Sequence, residues 1–503
     1  MLASILAAWE LQPDIDWVAL APEVIVTAGA VLLILVDSIW LDRARPYMTT
    51  LAGATLLGAL IPIIYMADDG PDRVLFGGAY VVDNFALVLK ALFLLSGYVV
   101  VLLSTNYVAE GDYWENEYYS MLVSSLLGMV VMASARDLVT MFVALELLSI
   151  PAYLLATWRK RDLKSNEAGL KYYLMGVFAS AVMLYGMSLL FGVTGTTQLT
   201  GIRDSISTGD DPTAVVVLGV IFVIAGFGFK VSAFPFHTWA PDTYEGAPTP
   251  VTAFLSVASK TAGFVALLQL VFVAFEGRSD IYEPLMWVLA AGSMTAGNLI
   301  ALRQTNIVRL MAYSGIAQAG YMLAPMVVAG QSTESSDRAL EAIVTYLVIY
   351  AAMNLGAFAV IIAVARKTRS AELDTYRGLF TYAPGLTVAM TIFLMSLAGI
   401  PPLGGWFAKL QIFRSLLSAE SLSGALMGVV VGVNSVIALF YYASIARRMW
   451  ADEVPDGDTT RIRVPASLVG ALAITALVTI AFGVAPQAVG HFTENAGLLA
   501  AGG

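Results

Sequence analysis

The 503-residue chain contains no cysteine and only two histidines, His237 and His491. Without thiolates it has no ligands for an iron–sulfur cluster or a thiolate zinc site, and two histidines can form a bis-histidine haem site only if both meet. It also lacks the glycine-rich loop with which a P-loop enzyme holds nucleotide phosphates. We therefore expect no metal, no bound cofactor and no ATP-driven chemistry in this chain.

Charged residues are scarce as well. They make up 13% of the chain against 58% hydrophobic residues, and the mean hydropathy is +0.78. A soluble domain carries about 25% charged residues. The composition therefore predicts an all-α polytopic membrane protein. The net charge of −10 excludes the basic surface of a nucleic-acid-binding protein.

Long apolar segments recur along the chain, and a transmembrane helix needs about 20 mostly apolar residues. We count fourteen segments, of which the twelfth is too long for one straight helix. Pro401-Pro402 and Gly404-Gly405 interrupt it, because proline removes a backbone donor and clashes with the preceding turn. The predicted spans are 18–40, 47–67, 85–105, 117–134, 138–157, 167–193, 213–236, 249–275, 283–302, 307–328, 339–365, 381–418, 423–449 and 464–486.

The spans suggest an internal repeat. Spans 4–8 and 9–13 have the same number of helices, and each set contains a helix broken by proline in its fourth member. Two five-helix units of opposite topology are typical of transporters. The predicted parts are an N-terminal region of helices 1–3 (1–116), a first repeat (117–275), a second repeat (282–450), and helix 14 with its tail (463–503).

The distribution of basic residues predicts the orientation. Of 27 lysines and arginines, 16 fall in loops that follow odd-numbered spans, and five arginines fall in loops that follow even-numbered spans. The positive-inside rule places the richer loops in the cytoplasm and both termini on the opposite side. The first residues lack a basic region before their apolar run, so we do not interpret them as a secretory signal.

Lysine is enriched within the predicted membrane spans, where its insertion costs the most free energy. Five of the eight lysines, Lys90, Lys171, Lys230, Lys260 and Lys409, lie within predicted spans. A lysine in hydrocarbon costs roughly 2.5–3.5 kcal/mol on insertion scales, and ionisable groups in membrane spans are functional by default. Lys171 and Lys90 lie near span starts, where snorkelling or an interfacial contact is a competing interpretation.

Two of these lysines adjoin broken helices. Lys230 precedes the Phe234-Pro235 break, and Lys409 follows the break at Pro401-Pro402. Irregular backbone at membrane depth is tolerated where protein or water covers it, and paired breaks mark transport sites. His237, beside the first break, is a candidate proton relay because histidine titrates near neutral pH. A structural, hydrogen-bonded histidine is an equally good interpretation.

Glu146 lies in mid-span five residues before Pro151. A carboxylate there can pair with a buried lysine and change its proton affinity. We predict that it pairs with Lys230; the alternative is an ion pair that only locks two helices. Lys260 is flanked by the hydroxyls of Ser259 and Thr261, which are suited to anchoring a chain of water molecules.

Longer motifs resemble a known family. The run from Phe229 to Val251, with Lys230, Pro235, His237 and the Tyr244-Glu-Gly-Ala-Pro sequence, precedes Ala258-Ser259-Lys260. These motifs resemble the antiporter-like membrane subunits of respiratory complex I (NADH:quinone oxidoreductase), and among them the subunit N family. Matching motifs are Glu146-x-x-Ser149-x-Pro151-x-Tyr153, Gly399-Ile-Pro401…Lys409 and Tyr350-x-x-Met353-Asn354-Leu-Gly356.

The resemblance implies fourteen helices with two inverted repeats and proton transfer through the Glu146–Lys230 pair, Lys260 and Lys409. Lys171 matches a further lysine of the family. FMN, iron–sulfur clusters, NADH and a quinone would belong to other subunits. The expected partners are other membrane-arm subunits and the lipid bilayer, in a hetero-oligomer within a bacterial cell membrane.

Three alternatives remain open at this point. A subunit of a multi-subunit cation/proton antiporter shares the implied fold. A ferredoxin-dependent plastid or cyanobacterial counterpart of complex I shares the motifs. Finally, the buried charges would only fix helix packing in a scaffold protein, since buried ion pairs can serve specificity.

Overall fold

A computed structural model describes residues 15–40, 45–70, 72–111, 115–207, 214–455 and 457–487. The first fourteen residues, for which no secretory signal is predicted, lie outside the described residues. So do His491 and the tail predicted after the last helix.

Helices form almost all of the described chain, and one short hairpin interrupts them. The hairpin consists of the antiparallel strands β1 (Arg73–Leu75) and β2 (Tyr80–Val82). In chain order the helices of the first half are α1 (Ala21–Trp40), α2 (Arg45–Gly58), α3 (Leu60–Asp69), α4 (Asn84–Glu110), α5 (Glu115–Ser134), α6 (Leu138–Ala156), α7 (Leu163–Thr194), α8 (Leu199–Ser207), α9 (Ala214–Lys230) and α10 (Trp239–Gly246).

The second half begins with a long helix that is irregular in two places. In chain order its helices are α11 (Thr249–Ala274), α12 (Ser279–Ala301), α13 (Ile307–Leu323), α14 (Thr333–Thr368), α15 (Leu379–Tyr382), α16 (Pro384–Ala398), α17 (Gly404–Ser418), α18 (Leu422–Ala451) and α19 (Ala466–Val484).

The described helices include eleven that are long and apolar enough to cross a membrane. The prediction of an all-α polytopic membrane protein is therefore confirmed. The other three predicted spans fall on α9, α13 and the α16–α17 pair, none of which is an unbroken helix of 18 residues. Length and composition alone thus account for eleven of the fourteen predicted spans.

The core is built around α11 and α14. In each of them 94% of the most apolar stretch is buried within the chain, against 28% in the outer helices α1, α7 and α19. Helix α14 packs against α4, α16, α17 and α19. Polar groups on α11 and α14 are therefore screened from lipid by other helices.

Short polar side chains fix where the helices begin. At six helices a side-chain oxygen of the preceding residue accepts hydrogen bonds from the first turn, which otherwise has unpaired N–H groups. The capping residues are Asp83 for α4, Asp137 for α6, Asp162 for α7, Asn306 for α13, Ser332 for α14 and Ser421 for α18.

Helices α6 and α13 begin with the same local structure. Asp137 forms an isolated antiparallel bridge with Gln198, and Asn306 forms one with Glu372. In both cases the bridged partner follows the next long helix along the chain. The two caps thus occupy equivalent places in the two halves.

Both predicted breaks are present. Helix α9 ends at Lys230 and α10 begins at Trp239, and the intervening residues are not helical. Helix α16 ends at Ala398, where Gly399 adopts a φ of +90°, and α17 begins at Gly404. Positive φ is accessible to glycine at little steric cost, so Gly399 allows the chain to leave the helix sharply. Each break contains a cis peptide bond, before Pro235 and before Pro402.

Helix α11 contains two π-helical turns, Leu255–Ser259 and Leu270–Ala274. The first of them ends directly before Lys260. A π turn widens the helix by one residue and occurs frequently at functional sites. Nothing in the apolar sequence of this span predicts either turn.

A buried ion pair joins the N-terminal helices. Lys90 Nζ lies 2.9 Å from Glu23 Oε1 and 3.0 Å from the Tyr80 hydroxyl, which itself donates to Glu23 Oε1. The Lys90 side chain is completely buried. The structure therefore does not support the competing interpretation of Lys90 as an interfacial contact, since its side chain is buried and its partners lie within this chain.

This pair supports a stability prediction. Lys90→Met leaves the buried Glu23 carboxylate without its cation and should lower the free energy of unfolding by about 3–5 kcal/mol. The double change Glu23→Gln with Lys90→Met removes both charges, so it should cost clearly less. Thermal unfolding in detergent tests this, and a double variant as unstable as the single one would contradict it.

The second break supports a packing prediction. A Cβ at Gly405 would lie 1.8 Å from the Ser396 carbonyl oxygen, so Gly405→Ala must push α17 away from α16. Overpacking of this kind typically costs roughly 1–3 kcal/mol, and we expect a lower Tm. Gly192→Ala in α7 is the control, because a Cβ there meets nothing within 4 Å. Equal Tm values for the two variants would contradict this account of the break.

Candidate functional site

Lys230 is held by two hydroxyl groups. Its Nζ lies 2.9 Å from Ser149 Oγ on α6 and 3.3 Å from the Tyr172 hydroxyl on α7. The Nζ also lies 5.7 Å from the centroid of the Tyr172 ring. Trp239, at the start of α10, covers the end of α9 by donating from Nε1 to the Phe229 carbonyl. At the first break, Lys230 is therefore buried and its hydrogen-bond partners are uncharged.

Glu146 is half-buried on α6, one helical turn before Ser149. Its Oε1 accepts a 2.6 Å hydrogen bond from Ser180 on α7. Among the ion pairs of the described residues there is none between Glu146 and Lys230. In this structure Glu146 and Lys230 therefore form no ion pair, and each is bonded to a different hydroxyl.

Lys260 is buried on α11 and reaches across to α13. Its Nζ donates a 2.7 Å hydrogen bond to the Gly315 carbonyl. A Cβ at Gly315 would lie 3.1 Å from this Nζ and 3.2 Å from the Tyr350 hydroxyl. The glycine thus leaves room for both polar groups. Ser259 and Thr261, the predicted hydroxyl neighbours, are buried beside Lys260 but do not bind its Nζ.

Lys409 binds the broken end of α16. Its Nζ donates a 2.9 Å hydrogen bond to the Ala398 carbonyl and lies 4.5 Å from the centroid of the Tyr321 ring. The last carbonyls of a helix lack donors within the helix and carry partial negative charge. The break therefore creates the acceptor that a buried ammonium group needs.

A group of buried polar side chains lies between Lys260 and Lys409. Gln318 on α13 contacts Tyr346 and Tyr442, and Tyr442 in turn contacts Ser314 through a 2.5 Å hydrogen bond between their hydroxyls. The sequence interpretation missed this group. Its one signal is Gln318, a glutamine within an otherwise apolar and small-residue run.

Lys171 lies apart from the buried lysines. Its half-exposed side chain forms ion pairs with Glu167 at 2.7 Å and Asp242 at 2.9 Å. Arg309 joins the same network through Asp242 and Glu245. The network connects α7, α10 and α13 at the edge of the helices and lines a cavity of about 170 Å³. Lys171 thus has carboxylate partners, whereas Lys230, Lys260 and Lys409 bond hydroxyls or carbonyls.

His237 lies in the first break. Its ring stacks on Phe234 with centroids 5.5 Å apart, and its buried Nδ1 has no hydrogen-bond partner. The structure therefore does not bring His237 into contact with any of the predicted lysines. Within the described ranges no group of three histidine, aspartate or glutamate side chains is arranged to hold a metal ion.

The functional groups brought together here are amines, hydroxyls, one carboxylate and backbone carbonyls. Amines and hydroxyls take up and release protons within hydrogen-bond reach. The arrangement is suited to holding and passing protons in a medium without bulk water.

Comparison with known proteins places the chain in a family. Residues 135–435 match the family model described as "NADH:quinone oxidoreductase/Mrp antiporter, TM". The NADH-quinone oxidoreductase subunit N of Trichlorobacter lovleyi is 37% identical over 97% of this chain and 98% of its own length. Subunit N 2 of Symbiobacterium thermophilum is 40% identical over 89% of this chain and 90% of its own length.

Solved structures agree with this. A chain of respiratory complex I from Thermus thermophilus aligns with a TM-score of 0.77 and 29% identity, covering 94% of this chain and all of that chain. A chain of the Mrp complex from a Dietzia species aligns with a TM-score of 0.84 but only 20% identity, over 96% of this chain and 97% of that chain, which shows a shared fold alone. With subunit N relatives that match at nearly full length, the chain belongs to the subunit N family of NADH:quinone oxidoreductase.

Proposed function

We propose that this chain translocates protons in the membrane arm of an NADH:quinone oxidoreductase. The observation that carries the proposal is the set of three buried lysines, Lys230, Lys260 and Lys409, whose ammonium groups bind hydroxyls or carbonyls. A buried lysine is expensive to keep in a membrane protein, and a purely structural lysine would be expected to have an ion-pair partner.

The neutral partners suit a group that gains and loses a proton. The hydroxyls of Ser149 and Tyr172 can accept from an ammonium and donate to an amine, so they satisfy Lys230 in either state. Redox energy released in other subunits would move a proton from one lysine to the next. Moving one charge across the full membrane potential costs about 2.3 kcal/mol per 100 mV, and the coupled redox step supplies it.

Glu146 is the proposed switch for Lys230. In this structure its carboxylate is bonded to Ser180, and the two charged groups are not in contact. A carboxylate that leaves Ser180 and approaches Lys230 would favour the charged lysine, and its return would favour proton release. Because Ser149 lies on the same helix face as Glu146, a small side-chain movement is sufficient to exchange partners.

The fourteen-span arrangement with two inverted repeats is part of the proposal. The matching bridges of Asp137 and Asn306 support it, as do the two breaks, each lying before or after a buried lysine. We further propose that residues 1–116 and 463–503 flank the two repeats, 117–275 and 282–450. In this topology both termini face the non-cytoplasmic side of a bacterial cell membrane.

The redox groups of the reaction are proposed to lie in partner subunits. FMN, iron–sulfur clusters, NADH and the quinone are expected there, and this chain contributes no cysteine to any cluster. Its partners would be other antiporter-like and small membrane subunits, in a hetero-oligomer surrounded by lipid.

Copurification tests this assembly. We expect a tagged chain, extracted in mild detergent, to bring down flavin and iron–sulfur subunits with inhibitor-sensitive NADH:quinone activity. Membrane subunits alone, with sodium-dependent proton exchange, would move the chain to the cation/proton antiporters. Ferredoxin oxidation in place of NADH oxidation would instead indicate the ferredoxin-dependent counterpart.

Replacement of Lys230 tests the proton path. In the complete complex reconstituted in vesicles, Lys230→Met should lower NADH-driven proton pumping at least about tenfold, since a positioned acid–base group typically contributes 10²–10⁴-fold. The matched control is Lys160→Met, which removes a lysine whose side chain is 59% exposed. Unchanged pumping per electron together with unchanged turnover would contradict the role of Lys230 and favour a scaffold role for the buried charges.

A further inference from the structure

Gln318 lies in the middle of α13 and is completely buried. A buried amide must find partners for its donors and acceptor, because each unpaired group costs about 1–3 kcal/mol. Gln318 finds all of them in other helices. Its Oε1 accepts from the Tyr346 hydroxyl on α14, and its Nε2 lies 3.3 Å from the Tyr442 hydroxyl on α18 and 3.2 Å from the Leu397 carbonyl on α16.

The contact with Leu397 connects the two lysine sites. Lys260 is bonded to the Gly315 carbonyl, on the same helix as Gln318 and one turn before it. Lys409 is bonded to the Ala398 carbonyl, next to Leu397. The Gln318 side chain thus joins α13, which binds Lys260, to the end of α16, which binds Lys409. It thereby fixes the distance between the Gly315 and Ala398 carbonyls.

The Tyr442 hydroxyl is held between two groups of α13. It forms a 2.5 Å hydrogen bond with Ser314 Oγ and accepts from Gln318 Nε2 at 3.3 Å. Because Gln318 donates to the Tyr442 oxygen, the phenol is free to donate its own hydrogen to Ser314. Ser314 precedes Gly315, so this pair of hydroxyls lies beside the residue that binds Lys260.

The position of Gln318 corresponds to that of Ser149. Ser149 stands twelve residues after the cap Asp137, and Gln318 stands twelve residues after the cap Asn306. Ser149 binds Lys230 directly. Gln318 has a longer side chain and contacts the Leu397 carbonyl. The same position therefore contacts the lysine before the break in the first half and the helix end at the break in the second half.

We propose that Gln318 is the positioning residue for proton transfer between Lys260 and Lys409, because it ties the helix whose Gly315 carbonyl binds Lys260 to the helix end whose Ala398 carbonyl binds Lys409. The proposal rests on the proposed function. In the transfer, a proton leaves the Lys260 ammonium and the Lys409 amine gains one. The amide of Gln318 neither gains nor loses a proton, and no electrons move.

Two substitutions of Gln318 test the proposal in the reconstituted complex. Gln318→Met keeps the shape and removes all three contacts, and we expect NADH-driven proton pumping to fall roughly tenfold at every pH, a change that corresponds to about 1.4 kcal/mol. Gln318→Glu keeps the acceptor and, when protonated, one donor. Pumping should then approach the unsubstituted rate at low pH and fall as the introduced carboxyl ionises at higher pH. A residue that only stabilises the fold would not produce this pH profile.

The matched control is Gln269→Met on α11. Gln269 is also completely buried, and its Nε2 also clasps another helix through the Met132 and Ala133 carbonyls, but it contacts neither lysine. Pumping by this variant should stay within about twofold of the unsubstituted complex.

The outcomes separate the two proposals. Loss of pumping in Lys230→Met with normal pumping in Gln318→Met would overturn the role of Gln318 and leave the proposed function standing. Equal losses in Gln318→Met and Gln269→Met, with no pH dependence in Gln318→Glu, would also overturn it. Normal pumping in Lys230→Met and in both Gln318 variants would overturn both proposals.

Discussion

A positive charge that is surrounded by apolar helices must be given partners by those helices, and this requirement explains much of the architecture around the site. Three buried lysines meet it in three ways. Lys230 uses two hydroxyls, Lys260 uses a carbonyl in mid-helix, and Lys409 uses a carbonyl that a helix break exposes. Lys409 depends on a helix break, because the last carbonyls of a helix lack N–H partners within the helix. Lys260 instead bonds the second lone pair of a carbonyl in a regular helix, and Gly315 leaves room for its ammonium group.

The two halves provide partners for the buried lysines from equivalent helix positions that carry different residues. Counted from their caps, Glu146 on α6 and Gly315 on α13 are equivalent, as are Ser149 and Gln318. In the first half a carboxylate occupies the earlier position. In the second half the position has no side chain, and Lys260 from the neighbouring half reaches its carbonyl. A carboxylate therefore stands at this position in the first half, near Lys230, and the equivalent position in the second half has none.

The sequence predicted the features that depend on composition and on strongly marked residues. Apolar length indicated the spans, proline and glycine indicated both breaks, and the cost of charge singled out Lys230, Lys260 and Lys409. It did not predict features that depend on which helices meet. Glu23 and Lys90 are 67 residues apart and pair through packing, the π turns arise within uniformly apolar sequence, and Gln318 has meaning only beside Leu397 and Tyr442. Lys171 and His237 fit the sequence pattern as well as the others do, but packing gives them different surroundings.

The choice of carbonyls over carboxylates has a consequence for energetics. When a lysine in an ion pair gives up its proton, a buried anion is left alone and must be neutralised or moved. A carbonyl that loses its ammonium partner carries no net charge, so no buried ion remains to be neutralised. In the proposed proton path, Lys260 and Lys409 would therefore alternate between two protonation states without a change in their carbonyl partners. The Lys230 site, with an acid nearby, is the one whose proposed mechanism uses a moving part, so the proposed motion is confined to one end of the path.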